Sequence, residues 1–367
     1  MKFTVLKDNL KEAVLLAEKT TGRKSSLPIL SAILITAEKG RITLTATNLE
    51  TGIEITLPGK IEQEGRIAVP ARVLSSYVGL LRDEQVEGLL EGDNLVLKTG
   101  AGRTVMRVYP ADEFPLLPKT EEGHMIELPA RTVRDSLRRV AVAAATSDIK
   151  PEIASILFAF TPKDLIIAAT DSFRLAEAKI TGTYGVSGDG MRFLLPVRSA
   201  HELVRLLDNE DGSVEAYISK GYVTFLTKRF RMVSRLTEGV YPDYERIIPT
   251  KFITEAQVKR DDVLEMLRLS SVFIGKLQDV ALFVDPAGIM RVDTVNAEVG
   301  ENTSHIPVEA KGETMQISFN HRYVLDGLTQ LPGGDTFFGF TSASGPLLMQ
   351  SKGEEGRYRY IVMPMKV

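Results

Sequence analysis

Three kinds of segment recur in the same order along the 367 residues, and this repetition constrains the fold more than any single motif. The first kind runs from an apolar strand into a basic helix: Val5–Thr21, Leu128–Thr146 and Val258–Gly275. The second places Val69-Pro70-Ala71-Arg72, Leu195-Pro196-Val197-Arg198 and Phe319-Asn320-His321-Arg322 before helical stretches. The third is a strand closing in a Thr/Asn/Asp knot, at Ala46–Glu50, Ala169–Phe173 and Asp293–Ala297. Arg72, Arg198 and Arg322 are 126 and 124 residues apart and the knots 123 and 124, so the repeat fills the chain with nothing left over.

Each copy carries two helical stretches and a set of strands, which makes the expected fold class α+β, with three tandem copies of a similar domain. In the first helix of copy two, Val133, Leu137, Val140 and Ala144 recur at helical spacing and should face the core, leaving Arg131, Arg134 and Arg138 together on another face. Ser199 followed by Glu202 reads as a capping box for the second helix, with Leu203, Leu206 and Leu207 buried and Arg198, His201 and Arg205 in register opposite. Copy one offers Lys7, Lys11 and Arg72 at matching places, and copy three Lys259, Arg260, Arg268 and Arg322. Segments such as Ile42–Thr45, Ile53–Leu57, Leu95–Lys98 and Val223–Leu226 alternate as half-buried strands do. Pro-marked polar stretches at 115–123 and 248–251 suggest linkers, giving domains 1–121, 122–249 and 250–367.

Composition removes whole classes of chemistry. Lys+Arg 45 against Asp+Glu 48 gives a charge of -3, so any contact with nucleic acid must come from a local patch. With no cysteine, disulfides, thiol catalysis and Cys-ligated metals are excluded, and the four scattered histidines suit no metal; neither metal nor cofactor is expected. No apolar run reaches the ~18 residues of a membrane span, and the charged start is unlike a signal peptide, so a cytoplasmic location is expected. Phosphate-loop, dinucleotide and zinc-protease motifs are absent. Asp171 with Arg174 is the one pair that reads as a possible acid and its partner, against the blander reading of a turn-capping Asp beside an Arg that closes a surface.

Laid over the repeat, Met1–Val5, Leu27–Leu30, Thr47–Glu50, Val69–Arg72, Ala169–Ala176, Tyr241–Arg246, Phe319-Asn320 with Tyr323–Asp326, and Tyr360–Met365 together resemble one family along the whole chain. That family is the bacterial DNA polymerase III beta subunit, the replicative sliding clamp. The resemblance implies two protomers closing head to tail into a ring, helices inside and sheets outside, that encircles duplex DNA without sequence specificity. It would tether DNA polymerase III to the duplex, conferring processivity with no catalysis of its own. Six helices about 10 Å apart would close a ring with a hole of only ~8 Å, whereas twelve leave ~27 Å, so two chains are the smallest number that encircles a duplex.

On this resemblance Lys24, Arg72, Lys150 and Arg198 match or adjoin DNA-facing positions, and helical spacing adds Lys11, Arg134, Arg138 and Arg205. A pocket for short apolar peptides of the polymerase alpha subunit, the clamp loader and other replication or repair proteins is implied. Its lining would be Ile153, Thr170, Phe173, Arg174, Leu175, Pro242, Arg246, Ile247, Asn320, Tyr323, Val362, Met363, Pro364 and Met365, with Arg and Asn available to the peptide backbone. The protomer interface is expected where an edge strand near Arg103–Val108 meets a segment near Ser271–Leu277, with Thr104, Met106, Val272 and Ile274 as contacts. Two other readings compete: a cofactor-independent hydrolase or isomerase built on Asp171 and Arg174, and a scaffold that binds proteins only. Leu49 and Ala297 standing in place of Phe173, with no acid–Arg pair in copies one and three, argue against the enzyme.

Overall fold

The computed structural model describes residues 1–22, 27–38, 40–100, 102–119, 123–186, 188 and 190–365. Its helices are α1 (Lys7–Thr20), α2 (Ala71–Leu80), α3 (Ala130–Ala141), α4 (Val197–Leu206), α5 (Arg260–Ser270) and α6 (His321–Gln330), two per repeat. By packing the chain forms two compact units, Met1–Arg134 with His201–Leu236, and Asp135–Ala200 with Thr237–Val367, so the central repeat is shared between them.

In the first unit an eight-stranded sheet runs in the order 124–129, 213–219, 222–226, 230–235, 51–57, 41–47, 32–38 and 65–70. Strands of repeats one and two meet where Phe230–Arg235 pairs antiparallel with Thr51–Leu57, from Phe230 opposite Ile55 to Ser234 opposite Thr51. A five-stranded sheet ending at Gly102–Arg107 completes the unit. The second unit repeats the device: Arg174–Thr181 pairs with Tyr358–Val362 inside a nine-stranded sheet, and a four-stranded sheet ends at Gly300–Pro307. An edge strand is a row of unpaired N–H and C=O groups, and each of these joints closes one edge against another.

The helices begin where strands end, with no loop between. Strand Lys2–Leu6 passes directly into α1, whose first amide donates to Glu84 O (2.9 Å); Ala130 N donates to Gly212 O, Val197 N to Ala154 O, Arg260 N to Gly334 O and His321 N to Gln278 O. A neighbouring backbone carbonyl thus satisfies a group that a helix start leaves orphaned. This overturns the capping box expected at Ser199 and Glu202: α4 begins at Val197, and Ser199 is a buried residue inside its first turn. Only α6 is capped in the side-chain sense among the helices whose caps are described, by Asn320 Oδ1 accepting from Arg322 N and Tyr323 N.

Apolar faces follow the helical period as anticipated. Leu10, Ala13, Val14 and Ala17 of α1 are buried, as are Val133, Leu137 and Val140 of α3, each large aliphatic contributing about 1.5–3 kcal/mol. The stretch expected as a linker after residue 114 is a strap: Phe114 is buried with Leu34 and Ala68, Leu117 lies against Gly52, and Arg231 Nη2 donates to Pro118 O. In α6 a Cβ at Gly327 would press into the Tyr360 ring and the Met349 methyl. Gly327→Ala should therefore destabilise the protein by about 1–3 kcal/mol although alanine is the better helix former, as read from urea unfolding; a gain in stability would show that the ring can move aside.

Candidate functional site

The turn after strand Asp164–Thr170 organises the site. Thr170 Oγ1 donates to Arg174 O (2.7 Å), Asp171 Oδ1 accepts from Phe173 N (2.9 Å) and Arg174 N (3.0 Å), and Ser172 takes φ 78. In repeat one Thr47 Oγ1 donates to Thr51 O, Asn48 Oδ1 accepts from Glu50 N and Thr51 N, and Leu49 takes φ 74. These matching bonds set Leu49 against Ser172 and Glu50 against Phe173, one position away from the equivalence expected from sequence. Asp171 is the turn cap of the blander reading, both of its oxygens engaged by Phe173 and Arg174. Among the described residues no cluster of His, Asp and Glu is arranged to hold a metal ion.

Arg174 is the centre of this region and is largely buried. Its Nε donates to Asp171 Oδ2 (2.9 Å), its Nη1 to Asp326 Oδ2 (2.6 Å), and its guanidinium stacks 4.3 Å from the Tyr323 ring centroid. Burial disfavours the charge, but Tyr360, Asp326 and Asp171 outweigh it and hold the guanidinium above its ordinary value. The group expected to meet a peptide backbone is therefore committed inside the protein, joining the turn of repeat two to α6 of repeat three. Asn320 is likewise committed through its oxygen to the cap of α6. Sequence reasoning quoted Asp326 in a motif without its role, because its partner lies 152 positions away.

The last residues run between two elements. Met363 N donates to Phe173 O and Met365 N to Ser318 O, both at 2.8 Å, beyond the strand pair that sets Arg174 opposite Val362. Leu175 and Val362 are wholly buried and Ile153 and Thr170 nearly so, so they present almost no surface to solvent. Leu175 packs with Tyr244 and Ile361; Tyr244 donates to Glu177 Oε2 (2.8 Å), whose other oxygen accepts from Arg359 Nε (2.7 Å). What reaches solvent is Phe173 (61% exposed), Pro242, Ile247 and Arg246, the last paired with its neighbour Asp243 (2.6 Å), with Met363, Pro364, Met365 and Tyr323 half-buried. This apolar rim over a rigid floor can accept apolar side chains.

The helix cations are placed less uniformly. Arg72, Arg138, Lys150 and Arg198 are exposed, and Lys11, Arg134 and Arg205 half-buried. Arg134 donates to Asp208 O (3.1 Å), Arg205 pairs with Glu202, and Arg198 with Asp148 (2.8 Å) in a fully solvated bridge that exchanges readily for another anion. His201, exposed at its edge, is held below the usual histidine range by partial desolvation and by the Arg205 cation. Lys24 lies outside the described residues.

One expectation for the protomer interface changes. Gly102–Arg107 is an end strand, but Met106 turns inward opposite Leu95 and is buried, while Val105 between its neighbours is exposed. The segment at Ser271–Leu277 is a 3-10 turn and loop, and Gly300–Pro307 is an end strand of the four-stranded sheet. Val272 and Leu277, exposed on that loop, accompany exposed Val295 and Val299, with Asn296 Nδ2 donating to Ile274 O (2.9 Å) to hold the loop against them.

Matches to three families divide the chain: DNA polymerase III beta subunit, N-terminal domain over residues 1–118, central domain over 127–243 and C-terminal domain over 245–366. A beta sliding clamp of Bacillus subtilis is 30% identical over 368 residues, covering 97% of each chain, and one of Synechococcus elongatus 28% identical over the full length of both. Among solved structures, the Thermotoga maritima DNA polymerase III beta subunit superposes with a TM-score of 0.93 at 29% identity, covering 100% of this chain and 99% of that one. A Pseudomonas aeruginosa sliding clamp bound to griselimycin superposes with a TM-score of 0.94 at 25% identity over both whole chains.

Breaking a buried pair leaves the other charge uncompensated, so Arg174→Ala should cost about 3–5 kcal/mol in urea unfolding, with Arg174→Lys recovering only part of it. A cost below ~1 kcal/mol would mean that Asp171 and Asp326 find water or other donors instead.

Proposed function

The chain belongs to the DNA polymerase III beta subunit family, and from that premise we propose how this molecule carries out the work of a sliding clamp. It is a non-catalytic processivity factor of DNA polymerase III, made of three tandem clamp domains. We place their limits at 1–121, 122–249 and 250–367. The protein acts at cytoplasmic DNA; among the described residues no helix is long and apolar enough to cross a membrane.

One observation carries the DNA reading. Arg72, Arg198 and Arg322 each occupy the second position of the second helix in their repeat, and all three are exposed. A cation there opposes the positive end of the helix dipole, at a cost of about 0.3–1 kcal/mol each. A local rule broken three times at one place in the repeat points to a function that repays it. Phosphates would supply it: point cations on short helices hold a duplex without reading its bases, and such contacts shift along the strand freely. Arg138, Lys150, Arg134, Arg205, Lys11 and Lys24 extend the track in this reading.

Two protomers joined head to tail would surround the duplex, edge strand Gly102–Arg107 of one adding to edge strand Gly300–Pro307 of its partner, with Val105, Thr104, Val272, Ile274 and Leu277 flanking the joint. Client proteins, the polymerase alpha subunit and clamp loader among them, would insert short apolar peptides at the rim of Phe173, Ile247, Met363, Pro364 and Met365. Arg174 supports this rim from beneath.

Loaded protein should stay on circular DNA and slide off the same DNA once it is cut, in a gel-filtration assay. Arg72→Glu with Arg198→Glu and Arg322→Glu should lower retention on the circle and flatten its salt dependence. Equal retention on cut and closed DNA would overturn encirclement, and unchanged retention of the triple variant at low salt would remove those arginines from the track. Separately, Phe173→Ala with Met363→Ala should weaken a fluorescent client peptide at least about tenfold while leaving Arg174 and the fold intact. An unaltered affinity would displace the rim assignment.

A further inference from the structure

The face of the eight-stranded sheet that carries Thr36, Thr43 and Thr56 holds a cleft of about 660 Å³ whose lining the functions above do not use. Its floor is a cross-strand row of hydroxyls. Thr36 lies opposite Thr43 and opposite Arg66, and Thr43 lies opposite Thr56. Opposed residues in such a row sit about 5 Å apart and point the same way, so these side chains form one continuous strip. One wall is the strap: with Phe114 buried at one end and Leu117 seated on Gly52 at the other, Pro115, Leu116 and Leu117 line the cleft from above. Gly52 is what admits the strap so closely, since a Cβ there would meet the Leu117 side chain.

The charge of the lining is unbalanced. Arg41, Arg66, Lys228, Arg229 and Arg231 face two carboxylates, Glu38 and Glu54. Arg229 is engaged by Glu12 (2.8 Å) and Arg231 by Glu54 (3.3 Å). Arg41, Arg66 and Lys228 make no ion pair among the described residues, and Glu38, opposite Arg41 across the hairpin, does not pair with it. By sheet geometry the backbones of Arg41 and Arg66 are about 12 Å apart, two strands over and one pleat along, within the combined reach of two arginine side chains converging above Thr36 and Thr43. A volume of this size is that of a small-molecule site. Convergent guanidinium groups over hydroxyl donors match the geometry and charge of phosphate oxygens.

We propose that this cleft binds a small di- or triphosphate, held by Arg41, Arg66 and Lys228 over the Thr36–Thr43–Thr56 floor. The chemistry fits an inorganic polyphosphate and a nucleotide alike; in the second case the base would lie against Leu116 and Pro115 of the strap. The site shares no residue with the duplex track and is independent of the clamp reading, and it holds a free ligand rather than a nucleic-acid strand, because the strap closes one side.

The test is isothermal titration of the full chain with inorganic tripolyphosphate and with ATP, each without divalent metal, in low salt. Saturable binding of one ligand per protomer is expected, weakened about tenfold by Arg66→Ala and again by Arg41→Ala. Both residues are exposed and far from the core, so melting temperature should not move; Thr36→Val with Thr43→Val gives an independent loss of the floor. ATP binding more tightly than tripolyphosphate assigns the strap to a base, and equal affinities assign the site to the phosphates alone; either supports it. No saturation, affinities unchanged in Arg41→Ala and Arg66→Ala, or equally tight binding by a single-stranded oligonucleotide with the same variant losses would overturn it.

Discussion

Antiparallel pairing between repeats is the constraint on which the rest depends. A clamp domain built as an open sheet would expose two edges, and unpaired edges invite association with any other chain. The ladder of Phe230–Arg235 on Thr51–Leu57 and that of Arg174–Thr181 on Tyr358–Val362 remove those edges by using the next repeat as the partner. Among the end strands of the described residues are Gly102–Arg107 and Gly300–Pro307, one in each of the two smaller sheets.

The same joint explains why the apolar rim can be pliable above and rigid below. Phe173, Met363 and Met365 lie at the ends of the Arg174–Thr181 and Tyr358–Val362 strands, and the buried Arg174 guanidinium links that joint to Asp326 on α6. Soft side chains over fixed backbone suit varied apolar ligands: methionine adapts its shape while the hydrogen-bonded strands hold register. Glu177, buried between Tyr244 and Arg359, supports the other side of the sheet in the same way.

The threefold organisation, the six helices and their buried stripes were legible in the sequence, because periodicity and repeat spacing can be read from one chain; the family was legible through the resemblance of its motifs in order. The errors share one physical cause. Ser199 reads as a cap when the chain is taken alone, but the preceding strand already supplies the helix start through Ala154 O. Met106 and Val105 cannot be told apart until the pairing with Leu95 and Val96 fixes which face is inward. The role of Asp326 stays hidden until the fold brings Arg174 to it across 152 positions. Each depends on a partner remote in sequence or on a one-residue register, and a register slip of one exchanges the two faces of a strand.

The unbroken passage of strands into helices has a mechanical consequence. When the first amide of a helix is bonded to the carbonyl beside the neighbouring strand, that helix cannot turn about its own axis or tilt without tearing the hydrogen bond that continues the ladder. Lys7, Ala130, Val197, Arg260 and His321 all anchor their helices in this way. The arginines one residue beyond Val197 and His321 are thus carried on a stiff frame, and in the proposed duplex track their spacing would not relax to follow a passing phosphate. Any compliance a moving duplex needs must come from the arginine side chains themselves.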